Sequence, residues 1–375
     1  MRATLLFAAT LAGFGAKPPA IEREKRRRWL TLAPTLVAVT LVLATIGGFS
    51  LASYCVGRSI EPELRFLEPR RAPSVGEVLV AFPVEYALRS TEKNDVVFVG
   101  DSTCRCGVDP AAFQRLTGLS TFNLGSIGPV GPMGFLITAK AYLLHHSPPR
   151  AMVLCTSPVA FEAGAAETDK RLASRLPSRF EASYGPEVPG IIPPDKSLRY
   201  FVQRGWLNAS NWHWGSEPDV RDLPLIDAPT TETFRSVMRG KLAMRGYDPL
   251  PGVHGKIVML DRPGVPIKIH EDWDHNVRSL AETCEKMGVP LLLRFSPMPS
   301  HLEHMKDFSP IERWAQDLQK CYPKLTIGRP HLLWYDWAVC FDHVHLNSQG
   351  VALYTALLAR DVRDLLGDDT VRNPK

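Results

Sequence analysis

The stretch Val96–Val108 reads VVFVGDSTCRCGV. Val96, Val97, Phe98 and Val99 form an unbroken apolar run, the pattern of a strand buried on both faces. Gly100-Asp101-Ser102 closes it in a sharp turn, and Pro110–Leu116 beyond has the composition of a helix start. A parallel strand that ends in a tight turn before a helix delivers side chains to the carboxyl edge of its sheet, where open α/β folds keep their ligands. Ser102 stands at that edge. A second stretch, Asp342-His343-Val344-His345-Leu346-Asn347, supplies an acid and a base far along the chain.

Outward from this strand (Asp95–Val99) the pattern repeats. A helix over Pro110–Thr117 leads to strand two, Ser120–Leu124. A Gly/Pro loop, Gly128 to Gly134, leads into a long helix through His146, and strand three is Ala151–Thr156. This alternation predicts a parallel sheet with helices on both faces. It breaks at residue 157. Residues 157–270 are rich in Pro, Trp and Gly and read as a long insertion over the carboxyl edge of the sheet. Trp206, Trp212 and Trp214 cluster there, either as a sugar-stacking platform or as the insertion's own small core. Regularity returns with a helix over Glu271–Met287 that stops at Gly288. Strand four is Val289–Phe295, a helix spans Pro310–Cys321, and strand five is Leu332–Asp336. The last helix starts after the capping pair Asn347-Ser348 and runs to Leu366. The expected fold is therefore α/β, a flavodoxin-like parallel sheet of about five strands. It occupies 95–366, with 367–375 as a tail.

Of 375 residues, 45% are hydrophobic and 22% charged, which suits a globular protein with a substantial core. The formal net charge of +5 is concentrated in residues 1–28, where seven Lys and Arg outnumber two Glu. The rest of the chain is neutral, which argues against a nucleic-acid partner, since phosphate binding needs a basic face. The charge abuts a stretch, Trp29 to Gly57, without any Asp, Glu, Lys or Arg. Its core, Leu30–Ala52, is long enough to cross a bilayer. Lys25–Arg28 on one side place the N-terminus in the cytoplasm and the body outside. The layout expected is a cytoplasmic basic leader (1–28), one N-terminal transmembrane helix (29–57), and a juxtamembrane linker (58–94) with a short helix near Val75–Leu88. Residues 3–16 form a second, shorter apolar run, best read as an uncleaved leader or as a start site placed too early. The seven cysteines are odd in number and irregularly spaced, so no disulfide framework follows. Cys104-Arg105-Cys106 is too closely spaced for a zinc knuckle, and neither a metal nor a cofactor is expected.

A serine hydroxyl needs a base within hydrogen-bond reach and a group to orient that base. Asp342 and His345 are three apart on a turn before a helix, a spacing that lets the carboxylate accept from Nδ1–H and leaves Nε2 facing outward. Donors for an oxyanion are expected from the Ser102 and Gly125 N–H groups at neighbouring strand ends.

Gly100-Asp101-Ser102, Gly125 after the second strand, and Asp342-x-x-His345 resemble, in order and spacing, the blocks of the SGNH (GDSL-type) hydrolase superfamily. The resemblance covers about Asp95–Leu366 apart from the insertion. It implies Ser102 as nucleophile, Gly125 as backbone oxyanion donor, and His345 with Asp342 as base and orienting acid. The family's third block, Gly-x-Asn-Asp, is matched here by Cys155-Thr156-Ser157-Pro158. The Asn is absent and the Ser157 hydroxyl stands in its place as a donor. The anchored layout is similar to single-span members that move acyl groups on or off cell-surface polymers, such as alginate O-acetylation proteins and the D-alanyl-transfer protein of teichoic acid synthesis. This implies an acylated glycan or acyl donor as substrate and a multi-span membrane acyltransferase as partner. Arg105 and Arg294, near strand ends, are candidates to hold an anionic substrate, and Trp206 and Trp212 to contact sugar. His343, His301, His304 and the run His270–His275 are lesser candidates for base or metal ligand. Two function classes follow: a membrane-anchored extracytoplasmic serine esterase or O-acyltransferase, and a scaffold that binds glycan and a membrane partner without catalysis.

Overall fold

The structure, a computed structural model, describes residues 34–45, 47–48, 75–161, 180–181, 184–185, 188–191, 239–250, 265–304 and 306–367. It is an α/β domain built on a five-stranded parallel sheet. The strands are β1 (Val96–Gly100), β2 (Thr121–Gly125), β3 (Ala151–Thr156), β4 (Leu291–Phe295) and β5 (Leu325–Ile327). Their spatial order is β2-β1-β3-β4-β5. The order reverses between β1 and β3, and the carboxyl ends of these strands form the crevice in which doubly wound sheets bind ligands. All residues of β1, β2, β3 and β4 are buried, as the unbroken apolar runs require.

The helices are α1 (Val75–Arg89), α2 (Ser102–Gly107), α3 (Pro110–Thr117), α4 (Gly131–His145), α5 (Glu271–Lys286), α6 (Ser309–Cys321) and α7 (Ser348–Leu366). Strand residues alternate between two apolar clusters. Val97, Val99, Leu154 and Leu293 pack with α1, α4, α5 and α6. Val96, Phe98, Val153, Cys155 and Leu292 pack with α2, α3 and α7. The six described cysteines outside the N-terminal stretch are free thiols.

Several expectations are corrected. The fifth strand is Leu325–Ile327, not Leu332–Asp336. Trp334–Tyr335 pairs instead with Met298–Pro299 in a separate two-stranded sheet beyond the carboxyl edge. The more apolar run was the decoy: its residues are only half-buried, whereas Leu325 and Ile327 enter the core. The helix over Val75–Arg89 is not part of a linker. Leu79 through Ala87 are buried, and Tyr86 stacks on Phe122 with centroids 3.6 Å apart. The domain thus begins at least twenty residues before β1. Within 157–270, residues 239–248 return to cover the exposed edge of β2: the Asn123 N–H donates to Arg245 O, and Arg245 Nε donates to Thr121 O. Gly246, at φ +83°, leaves no room for a Cβ beside the Asn123 carbonyl.

Residues 34–45 are helical, and the large apolar side chains among them, including Leu36, Leu41 and Leu43, are exposed. Among the described residues no helix is long and apolar enough to cross a membrane. Most of the expected span, 29–57, lies outside the described residues, as do the leader, the tail beyond 367, Trp206, Trp212 and Trp214.

Arg294 is corrected as a substrate ligand. Its side chain has no exposure. Nε lies 3.4 Å from Asp361 Oδ2 of α7, and Nη1 donates to Pro330 O at 2.8 Å. Gly328 gives it space, since a Cβ there would overlap the guanidinium. Removing one member of a buried ion pair strands the other charge. Arg294→Met is therefore expected to cost about 3–5 kcal/mol in urea denaturation, and Arg294→Met with Asp361→Leu to recover most of that loss.

Candidate active site

The site begins at the end of β1. Gly100 has φ +149°, and a Cβ there would overlap the Cys155 carbonyl of β3, so only glycine lets the chain turn this close to the neighbouring strand. Asp101 is 3% exposed and caps α2. Its Oδ1 accepts from the Thr103 N–H (2.8 Å) and hydroxyl (2.6 Å), and its Oδ2 from the Thr156 hydroxyl (2.7 Å) and Ser157 N–H (3.1 Å). A carboxylate out of water is tolerated when its lone pairs are filled in this way. The cap also explains α2, a helix not evident in the run Ser-Thr-Cys-Arg-Cys-Gly, whose residues are indifferent helix formers. Asp101 is thus a structural clasp, in keeping with its reading as a turn residue.

Ser102, half-buried, is the first residue of α2. Its partner comes from the loop before α7. Asp342 Oδ1 accepts from the Val344 N–H (2.8 Å) and the His345 N–H (2.7 Å), which folds the four residues into a tight turn. Asp342 Oδ2 lies 2.8 Å from His345 Nδ1, and His345 Nε2 lies 2.9 Å from Ser102 Oγ. An ionised carboxylate only accepts, so Nδ1 carries the proton and Nε2 accepts from the serine hydroxyl. The turn is itself anchored. Asn347 caps α7 through the Gln349 and Gly350 N–H groups, and its own side-chain amide donates to Ala338 O at 2.7 Å. Ser102, His345 and Asp342 are therefore joined in series across 243 positions of sequence.

Burial alone would raise the Asp342 carboxyl. The hydrogen bond and charge of His345, with the Val344 and His345 N–H groups, outweigh it and hold the pKa at about 2. His343 sits beside the turn with its Nδ1 buried and unpartnered, and burial lowers its pKa. It has no part in the series.

The oxyanion donors divide. The Ser102 N–H, in the first turn of a helix, has no intrahelical acceptor. The Gly125 N–H is already committed: it donates to Asn123 Oδ1 at 2.8 Å. That corrects its expected role. Asn123 was missed because nothing in the sequence marks it. It is fully buried on β2, and its amide donates to Cys104 O (2.8 Å) and Val108 O (3.1 Å), tying α2 to the sheet edge. Ser157 follows the end of β3, its hydroxyl buried and without a hydrogen-bond partner. Arg105, one turn beyond Ser102, faces the returning segment, its Nε 3.6 Å from Asp248 Oδ2, which also pairs with Lys241 at 3.0 Å. Among the described residues no hydrogen bond joins His270, His301 or His304 to the series. His270 caps α5 by accepting from the Asp272 N–H, and His301 packs edge-on against Trp337.

Fold and site together define an α/β domain with a serine–histidine–aspartate series at the switch point of a parallel sheet. No protein-family model matches the chain, and no curated protein matches it either.

The depressed Asp342 pKa has a sign. A carboxyl held below its unfolded value of 3.8 contributes stability that is complete above that value and lost as pH falls through about 2. Asp342→Asn is therefore expected to be less stable than the parent near neutral pH by on the order of 2 kcal/mol. The difference should vanish in thermal melts between pH 4 and pH 2, approximate bounds set by the same linkage.

Proposed function

We propose that this protein is a membrane-anchored extracytoplasmic serine esterase or O-acyltransferase that acts on acyl, principally acetyl, esters of a cell-surface glycan. One observation carries the reading: the Ser102 hydroxyl donates to His345 Nε2 at 2.9 Å while Asp342 holds Nδ1 at 2.8 Å. Ser102 Oγ attacks the acyl carbonyl and its proton passes to Nε2. Asp342 keeps the imidazole in the required tautomer and stabilises the imidazolium that forms. Collapse of the tetrahedral intermediate expels the sugar alkoxide, which takes the proton from His345, and leaves an acyl group on Ser102. Water or a second sugar hydroxyl, deprotonated by His345, then attacks the ester. Hydrolysis and transfer differ only in which hydroxyl arrives.

The resemblance to the SGNH superfamily supports the same chemistry, as does the flavodoxin-like strand order with the serine at its switch point. The anchor rests on the uncharged stretch Trp29–Gly57 beside a basic leader, and on apolar side chains of residues 34–45 that no described residue covers. An acylated glycan as substrate and a multi-span membrane acyltransferase as partner follow from the resemblance to anchored members. A second reading, a non-catalytic scaffold, draws on the committed Gly125 N–H and the missing block-three Asn.

The test uses the full-length protein in detergent. The parent is expected to hydrolyse an aryl acetate and to be labelled by a fluorophosphonate at Ser102. Ser102→Ala should abolish both with an unchanged thermal melt, and His345→Ala should lower turnover by at least about 10²-fold. A parent protein that the probe does not label would leave the scaffold reading.

A further inference from the structure

Asn123 is fully buried on β2, and both arms of its side-chain amide are engaged. Nδ2 donates to Cys104 O at 2.8 Å and to Val108 O at 3.1 Å, with Arg105 O at 3.5 Å. Oδ1 accepts from the Gly125 N–H at 2.8 Å and from the Cys104 thiol at 3.4 Å. The last carbonyls of a helix lack intrahelical donors, and here a side chain from a neighbouring strand supplies them. The helix sits close on that strand: a Cβ at Gly125 would overlap the Arg105 backbone.

With six residues, α2 is too short to hold its shape alone. Its first turn is fixed to β3 by the Asp101 clasp. A clasp at one end leaves a helix free to pivot about it. The direction of α2 is set at its other end, where Asn123 takes hold and the Asp248 N–H donates to Arg105 O at 3.2 Å. Cys104 is two residues beyond Ser102, roughly 3 Å along the helix axis. A shift at Cys104 O is therefore felt at Ser102. The Ser102 Oγ to His345 Nε2 distance is 2.9 Å. That leaves roughly 0.3 Å before the upper end of the range for proton transfer, about 3.2 Å. The chemistry of the amide matters as much as its shape. It carries donors on one arm and an acceptor on the other. Ionised aspartate would set a second oxygen against two carbonyl oxygens, and leucine would leave those carbonyls unfilled.

We propose that Asn123 is a positioning residue for the nucleophile. By capping the C-terminal end of α2 from the neighbouring strand, it fixes the direction of that helix and with it the Ser102–His345 distance, without touching substrate. The Gly125 N–H serves the same end. Bonded to Oδ1, it keeps the amide from turning its oxygen toward the α2 carbonyls. This assignment rests on the acyl-transfer reading above and adds a residue to it.

The experiment compares the full-length parent with Asn123→Asp and Asn123→Ala. It measures kcat and KM for 4-nitrophenyl acetate, the rate of fluorophosphonate labelling at Ser102, and thermal melts. Kinetics are taken at several temperatures below each variant's melt, where the whole population is folded. In both variants kcat and the labelling rate are expected to fall together by about 10²-fold, with KM within about twofold of the parent. Asn123→Asp keeps an acceptor for the Gly125 N–H and loses the donors, so its loss places the effect at the α2 carbonyls. Folded variants with parental kcat and labelling rate overturn the assignment. So does a kcat loss that closes on cooling in step with the melts, and so does failure of both variants to fold, since each marks Asn123 as a core residue only. A parent that neither turns over the ester nor labels at Ser102 removes the acyl-transfer reading itself. A parent that does both, with variants that match it, removes only the Asn123 assignment.

Discussion

The buried carboxylate of Asp101 is the point on which this molecule turns. Four hydrogen bonds reach it, two from Thr103 in α2 and two from Thr156 and Ser157 at the end of β3. No cation among the described residues pairs with it, so these donors alone keep the charge out of water tolerable. The same four bonds decide where Ser102 sits relative to the neighbouring strand. Gly100 makes the arrangement possible by letting the turn close against the Cys155 carbonyl. A β1 strand with any other residue there would have to end farther from β3, and the clasp would not form.

Around that clasp α2, which carries Ser102, is held from three sides. Asn123 fastens its carbonyls to β2. The returning segment of the long insertion adds Asp248, whose N–H donates to Arg105 O, and covers the edge of β2 that would otherwise be open. The loop before α7 adds His345. This loop is tied across itself: the His345 N–H donates to Asp342, Cys340 bridges to Leu346, and the Asn347 N–H donates to Val339 O. A short helix of poor helix formers is thus positioned by tertiary contacts rather than by its own propensity.

Within 157–270, residues 239–248 lie against α2 and β2, whereas at the end of the insertion the Ile267 N–H donates to Asp307 O and the His270 N–H to Phe161 O. Arg105 faces the returning segment with its Nε 3.6 Å from Asp248 Oδ2, while Nε and Nη1 are buried without a hydrogen-bond partner. Likewise Arg294, which its position near a strand end had marked for ligand binding, ties β4 to α7 from inside the core.

The sequence by itself determined the central strands, because residues buried on both faces of a parallel sheet must be apolar without interruption, as Val96–Val99 and Ala151–Leu154 are. It also determined the residues of the serine–histidine–aspartate series, since few other residue types can serve those roles at that spacing. The fifth strand was illegible: three residues carry too short a period, and Leu332–Asp336 is the more apolar run. Only the tertiary structure decided that the Gly125 N–H is spent on Asn123, that Arg294 is a core ion pair, and that the Ser157 hydroxyl is buried without a hydrogen-bond partner. The physical reason is common to all three. Whether a polar group is free depends on which other group lies within about 3 Å of it, and that distance is set between chain segments whose separation in space local sequence does not encode.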